Sequence, residues 1–329
     1  MNIDKLLKEE VSDCISCGLC TRKCDFLKKY NINLAEFTER KDLAYHCFLC
    51  GECERVCPKD IDGKKIALMM RENSVANNGD KIAESGYSML IKEKVNYKFK
   101  NYKPAKNKPV LFTGCNFPSF YPVATDKISS MFKAFGIDTV YDCCGKPISE
   151  LGLKKEAQSI IDGINNELEK REVDEVIMLC PNCYYFLKDR LNVKVVNIYG
   201  KLKELNIGKI VDNDVKLFMP CPDKNDKEIL NDIEDFIKDG EYKIIKSQCC
   251  GLGGCASGKE KEISSGFTKD VVRKAGDNFY VYCASCAGNF RRGGAENVVH
   301  ILNEILDIDE NPEKGIKSVI NRMKCIFKR

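Results

Sequence analysis

The sequence predicts an α+β chain in three parts: a small, helical, cysteine-rich domain followed by two copies of one α/β unit built on parallel sheets. Two observations carry that prediction. The first is a repeat. Cys115, Cys143-Cys144-Gly145 and Cys180-Pro181-Asn182-Cys183 are followed by Cys221, Cys249-Cys250-Gly251 and Cys283-Ala284-Ser285-Cys286. In both copies 27 residues separate the lone cysteine from the pair, and 35 and 32 residues then lead to the Cys-x-x-Cys. Two matching sets of five cysteines mark two copies of one structural unit. The second observation is the change at Pro109 to short apolar runs alternating with amphipathic stretches, the pattern of strands and helices on a parallel sheet.

Taken in order, residues 4–10 read as a short amphipathic helix, entered from Met1 and Asn2 without the apolar core of a signal peptide. Two cysteine runs follow, Cys14-x-x-Cys17-x-x-Cys20-x-x-x-Cys24 and Cys47-x-x-Cys50-x-x-Cys53-x-x-x-Cys57-Pro58. This spacing resembles a bacterial two-cluster ferredoxin, in which three cysteines of a run wrap one [4Fe-4S] cube and the fourth reaches the other. The resemblance implies that Cys14, Cys17, Cys20 and Cys57 hold one cube, and Cys47, Cys50, Cys53 and Cys24 the other. Paired zinc sites fit less well, because zinc takes two separated pairs of ligands and not a run of three with a distant fourth. Helical spacing at residues 34–37 and 43–45 fills the 22 residues between Cys24 and Cys47 and predicts a helical version of such a domain. Residues 64–71 read as a helix. Residues 92–108, rich in Lys and Asn and followed by a second proline at Pro109 after Pro104, read as a linker. The expected domains are therefore 1–91, the linker 92–108, a first repeat 109–208, and a second repeat 209–329 that includes a C-terminal helix.

In the first repeat, residues 110–112, 139–141 and 176–179 read as strands that deliver Cys115, Cys143-Cys144 and Cys180. Helices are expected at 121–135, ended by Gly136, and at 151–170. In the second, residues 215–218, 242–245 and 279–282 play the same parts before Cys221, Cys249 and Cys283. Every cysteine group thus follows the C-terminal end of a strand, the edge where open parallel sheets place their ligands. The Cys-x-x-Cys groups also open helices, whose N-termini favour thiolates. Gly145, Gly251, Gly253 and Gly254 permit tight turns and close approach of the backbone to a cluster or substrate. Residues 251–254 lack the Lys-Ser/Thr of a phosphate loop.

Composition narrows the functional classes. Twenty cysteines in 329 residues, with no secretory signal, point to reduced thiols in the cytoplasm and to metal ligation instead of disulfides. The net charge of +4 arises from 53 basic and 49 acidic residues that are interleaved, which marks neither a nucleic-acid nor a membrane-binding surface. No apolar run is long enough to span a bilayer. No flavin or nucleotide fingerprint is present, so a redox partner is required.

With these motifs in view, residues 105–305 resemble the tandem cysteine-rich CCG domain of the heterodisulfide reductases. The whole chain resembles the heterodisulfide reductase type that fuses a two-cluster ferredoxin domain ahead of that tandem, on Cys-Cys-Gly-Lys-Pro at 143–147, Cys-Pro-Asn-Cys-Tyr at 180–184 and Cys-Cys-Gly-x-Gly-Gly at 249–254. The resemblance implies two cubane and two non-cubane [4Fe-4S] clusters. It makes Cys115, Cys143, Cys144, Cys180 and Cys183 ligands of one catalytic non-cubane cluster, and Cys221, Cys249, Cys250, Cys283 and Cys286 ligands of the other. It implies an oxidoreductase subunit that passes electrons through the cubes to the paired clusters and reduces a disulfide. The partner would be a flavoprotein, a ferredoxin or a membrane cytochrome subunit. The alternative is the electron-transfer subunit of a flavin-dependent 2-hydroxy-acid or glycerol-phosphate dehydrogenase, where the same tandem occurs. A redox-sensing protein has no support from any helix-turn-helix pattern. Two positions depart from the family: Cys221 is followed by Pro222-Asp223 where a histidine is common, and Cys255 stands where a small residue is usual. Cys255 reads as a buried spare and Cys325 as incidental. Lys146, Arg291 and Arg292 are candidates for meeting an anionic substrate. His46 is a candidate for tuning a cube by hydrogen bonding, and His300 reads as a satisfied core residue.

Overall fold

The computed structural model describes residues 3–106, 108–276 and 278–328. Met1 and Asn2 of the expected N-terminal start, Asn107 of the expected linker, and Asp277 and Arg329 of the second repeat lie outside the described residues. The chain is α+β, and the strands among the described residues form two parallel four-stranded sheets.

In the first sheet, β1 (Pro109–Phe112), β2 (Asp138–Val140), β3 (Glu175–Met178) and β4 (Lys194–Asn197) run in the order β2-β1-β3-β4. In the second, β5 (Val215–Phe218), β6 (Tyr242–Ile244), β7 (Asn278–Val281) and β8 (Asn297–His300) take the equivalent order β6-β5-β7-β8. Leu111 stands between Thr139 and Ile177 in one register, and Leu217 between Ile244 and Tyr280 in the other. Six of these strands occupy the stretches their apolar runs predict. The fourth strand of each sheet was not anticipated, because β4 and β8 are edge strands begun by the exposed Lys194 and Asn297 and lack a full apolar run.

Strand alternation divides the first sheet between two cores. Val110, Phe112, Val176 and Met178 face the helix Lys154–Glu169. Leu111 and Ile177 face the other way and join Leu217, Phe218 and Val281 of the second repeat in one shared core. The two repeats therefore bury a common interface, with the helix Pro122–Lys133 contributing Ile128 and Phe132 to it.

The N-terminal part is a set of short helices closed by the longer helix Gly63–Asn77. Its core continues into the first repeat through Ile148, Leu151 and Leu153. Residues 92–108 begin in the helix Ser88–Val95, and then Asn101 bridges Tyr141 while Tyr102 is buried beside Val140, so this stretch packs on the first sheet at Asn101 and Tyr102. The helix Ile316–Lys324, reached from the second repeat, also lies on the first: Ser119 Oγ donates to Ser318 O at 2.7 Å and Asn101 Nδ2 to Cys325 O at 2.8 Å.

Arg71 locks the three parts together. It is fully buried and donates to Ala44 O and Cys47 O of the N-terminal domain, Glu150 O of the first repeat and Gly254 O of the second, at 2.6–3.0 Å. A guanidinium suits this task because its several donors splay in one plane and stay charged when buried. Beside it, Gly152 brings its Cα so close to the Arg71 backbone that a Cβ would stand 2.7 Å from the Arg71 carbonyl carbon.

Candidate metal centres

The N-terminal cysteines fall into two groups. Cys14, Cys17, Cys20 and Cys57 line one recess together with Leu34 and Ile61. Cys24, Cys47, Cys50 and Cys53 are buried together, close enough for the charges of Cys24, Cys47 and Cys50 to act on Cys53. The chain curls around each group because Gly18 and Gly51 take left-handed φ of 68° and 74° and start the helices Leu19–Lys23 and Glu52–Arg55. Side-chain-free residues accept that conformation without strain.

The tandem cysteines form a single line. Sulfurs lie within hydrogen-bonding reach from Cys115 to Cys143, Cys143 to Cys144, Cys144 to Cys183 and Cys183 to Cys180. In the second repeat the same order runs from Cys221 to Cys249 at 3.9 Å, then to Cys250, Cys286 and Cys283. Cys180 meets Cys283, so the two sets join at the first cysteine of each Cys-x-x-Cys. Those cysteines cap the helices Pro181–Leu187 and Ala284–Arg292, whose starts also touch: Asn182 Nδ2 donates to Cys283 Sγ at 3.4 Å. The strand order explains the convergence. In each sheet the order reverses between the first and third strands, which opens a crevice at their C-terminal ends.

This donor set fits a polynuclear iron–sulfur group. The donors are soft thiols without a hard oxygen ligand among them. Burial pushes the Cys47 thiol up to about 11, so a thiolate there needs a compensating cation. In the tandem, hydrogen bonds from Cys143 and Cys183 hold Cys144 below the ordinary thiol value, and Cys249 and Cys286 do the same for Cys250. Among the described residues no three metal-binding side chains converge on the point a single ion would occupy; Cys14, Cys17, Cys20 and Cys57 line a recess instead.

Comparison with known proteins agrees with this chemistry. A 4Fe-4S dicluster domain matches residues 13–61, and a cysteine-rich domain, CCG, matches twice, at 110–188 and 215–291. The chain belongs to the iron–sulfur proteins that join a dicluster domain to tandem CCG domains. It is 25% identical to an uncharacterized iron–sulfur protein of Methanocaldococcus jannaschii over 72% of its length and 54% of the relative's. It is 23% identical to another from Methanococcus maripaludis, over 86% of this chain and 68% of that one. It is likewise 23% identical to one subunit of a fumarate reductase (CoM/CoB) from Methanothermobacter marburgensis, over 91% and 72%. The chain thus spans about half the length of the first of these. An aspartate racemase structure from Picrophilus torridus covers 66% of this chain and 99% of its own at 11% identity with a TM-score of 0.33, too weak a likeness to bear on the fold. The function carried by these domains is electron transfer through [4Fe-4S] clusters.

Several residues of this iron–sulfur protein that their motifs single out have further partners in the structure. A Cβ on Gly253 or Gly254 would strike the Phe48 or Cys47 carbonyl oxygen, and one on Gly253 would also stand 3.8 Å from Cys249 Sγ, so they bring the second repeat onto the dicluster domain beside the cysteines. Lys146 pairs with Glu150 on its own helix, Arg291 donates to Glu296 O at 2.7 Å, and Arg292 to Gly288 O at 3.2 Å. His46 gives no hydrogen bond to sulfur; its Nδ1 donates at 2.6 Å to Glu260, a buried carboxylate that also accepts from Lys29 and Tyr30. His300 is buried as expected, but neither ring nitrogen has a partner among the described residues: it stands edge-on to Phe117 and Tyr121, and burial pulls it down to about 4. Asp223, in the departure after Cys221, is fully buried and accepts from Tyr185, from Tyr282 Oη at 2.6 Å and from two backbone amides, tying the repeats together. Cys255 holds a left-handed φ of 54°, and burial pushes its thiol up to about 12.

Other neighbours of the sulfurs were not legible in the sequence. Lys94 Nζ lies 3.4 Å from Cys115 Sγ, inside the stretch read as a linker, and Glu93 beside it pairs with Arg322 at 2.6 Å. Gln248 Nε2 donates at 3.5 Å to both Cys24 and Cys50 while its own chain neighbour is Cys249. An amide directly before a cysteine pair was the only sequence signal for it.

Proposed function

We propose that the chain is the disulfide-reducing member of a larger redox complex. It would hold two cubane clusters on Cys14, Cys17, Cys20 and Cys57 and on Cys24, Cys47, Cys50 and Cys53. Two non-cubane clusters would sit on the two five-cysteine sets. The observation that carries this reading is the line of ten sulfurs joined at Cys180 and Cys283, with both sets complete. Bound there, four-iron clusters supply one-electron steps, and cleavage of a disulfide takes two electrons and two protons to give two thiols. A pair of equivalent sites facing one another matches that requirement.

The chain's own residues would serve that chemistry in distinct ways. Gln248 spans from the second cubane group to Cys249 and provides the short route between the dicluster domain and the second repeat. Lys94 offsets negative charge at Cys115, where an ammonium at 3.4 Å favours the sulfur's anionic form. Lys224 approaches Cys221 in the second repeat, held there through Ser247 O at 2.6 Å. The relative named as part of a fumarate reductase (CoM/CoB) supports a place in a multi-subunit reductase.

The test is iron and acid-labile sulfide per chain with Mössbauer spectra of anaerobically purified protein, followed by titration of the reduced protein with a small disulfide. About 16 irons, half of them in a non-cubane form, and reoxidation by the disulfide with release of two thiols are expected. Iron stopping at about 8, all in cubes, would sink the disulfide reading and leave a relay component of a flavin-dependent dehydrogenase.

A further inference from the structure

The helix Ile316–Lys324 and the turn Cys325–Phe327 are mounted the wrong way round for a surface helix of a globular protein. Ser318, Asn321, Arg322 and Cys325 face the first repeat: Asn321 Nδ2 donates to Ser119 O, Arg322 pairs with Glu93, and Cys325 is buried. Ile316, Val319, Ile320, Met323 and Phe327 form the opposite stripe, at helical spacing, and face outward; Ile316 is 77% and Phe327 80% exposed. A helix ordinarily buries its apolar stripe and leaves its polar face in water. Here polar contacts hold the helix in place and leave a continuous apolar face uncovered, the kind of patch that marks an interaction site.

Charge decides what covers it. Residues 314–329 contain six basic side chains and no acidic one, although the whole chain has a net charge of only +4. Lys317 and Lys324 fall along one margin of the apolar stripe, are exposed, and have no ion pair among the described residues. A second copy would set like charges against each other. An apolar stripe edged by lysines, on a helix fixed parallel to the protein surface, matches the interfacial layer of a bilayer with anionic headgroups. Among the described residues no helix is long and apolar enough to cross a membrane, so the contact is with the surface alone.

We propose that this helix is a membrane-surface anchor, with Ile316, Ile320, Met323 and Phe327 entering the headgroup layer and Lys317 and Lys324 meeting anionic lipid. The inference is independent of which clusters the cysteines hold. It also orients the molecule. Arg322, Glu93, Lys94 and Cys115 are linked in sequence from this helix inward, at 2.6, 3.0 and 3.4 Å, so the anchor turns the first five-cysteine set toward the lipid.

The test is co-flotation of the anaerobically purified chain with vesicles of pure phosphatidylcholine and with vesicles of equal parts phosphatidylcholine and phosphatidylglycerol. Binding to the anionic vesicles only, weakening as salt rises, is expected. K317A/K324A is expected to lower the partition about 25-fold, at roughly a factor of five for each lysine. I320E/F327E, at two exposed positions, is expected to abolish it with iron content unchanged. Wild-type protein that remains unbound at low salt overturns the proposal and makes an acidic protein groove the occupant of this face. Binding that survives I320E/F327E overturns it as well, since the lipid would then be held elsewhere.

Discussion

The two CCG repeats share a strand order and a sulfur arrangement, but their surroundings differ. The second is pressed onto the dicluster domain: Phe48 and Cys50 pack with Cys249 and Phe267, and Gln248 donates to Cys24 and Cys50. The first packs on that domain through Ile148, Leu151 and Leu153, but at its Cys115 end Lys94 and the helix Ile316–Lys324 surround it. Duplication supplied two similar sites, and under the proposed function the packing of non-repeated segments would make the second the entry for electrons and the first the far terminus. The lesson is that pseudo-symmetry in a sheet does not extend to what covers its edge.

The largest effect that would test this contrast is on electron passage. In Cys250→Ser, electrons entering through the dicluster domain should fail to reach the first repeat, whereas in Cys144→Ser the second repeat should still be reduced. Freeze-quench spectra after mixing with a one-electron donor separate the two. Equal reduction of the surviving site in both variants would break the serial order.

Next is the contact itself. Gly254 has a left-handed φ of 60° and abuts the Cys47 carbonyl, so Gly254→Val should cost more than about 3 kcal/mol. Gly145, a left-handed glycine of the first repeat, has a φ of 81°, but a Cβ there would meet the Ile160 side chain, at 3.0 Å, and Gly145→Ala should cost about 1–2 kcal/mol. Denaturant unfolding of the two variants checks the difference.

A smaller effect belongs to the shared core. His300 is held neutral, with its value lowered from 6.5 to about 4, so the unfolded chain binds a proton more readily than the folded one. Its stabilising contribution is complete above about pH 6.5 and is lost as pH falls toward about 4, at most about 3 kcal/mol. The stability of His300→Phe should therefore fall less steeply than that of wild type across that window, and any constant cost of repacking cancels in the slope. Parallel slopes in urea melts would show that His300 has a partner in solution.

The smallest effect is a shift in potential. Removing the two N–H···S hydrogen bonds in Gln248→Leu should lower the midpoint potential of the cluster proposed on Cys24 and Cys50, leaving the other proposed cube unchanged in a redox titration followed by EPR. An unchanged value would mean that the amide positions the second repeat without tuning the metal.

Much of this molecule was legible in its residues because its information is local. The cysteine runs, the twofold repeat, six of eight strands and the helices opened by Cys180 and Cys283 follow from spacing, periodicity and capping within short windows. Edge strands β4 and β8 escaped, since half-exposed strands carry a weak apolar signal. Gly253 and Gly254 were legible as close-approach positions, but what they approach is a carbonyl some two hundred residues away in sequence.

By itself, then, the sequence determined the chemistry: thiols in two ferredoxin-like runs and two five-membered sets, and the α/β units that bring each set to a sheet edge. Only the tertiary structure decided how those sets relate. The meeting of Cys180 with Cys283, the Arg71 clamp on three parts of the chain, the ammonium of Lys94 at Cys115 and the outward apolar face of the helix Ile316–Lys324 are all contacts between distant segments. Such contacts depend on which surfaces of already formed units are complementary in shape and hydrogen bonding, and no periodicity along one chain encodes that.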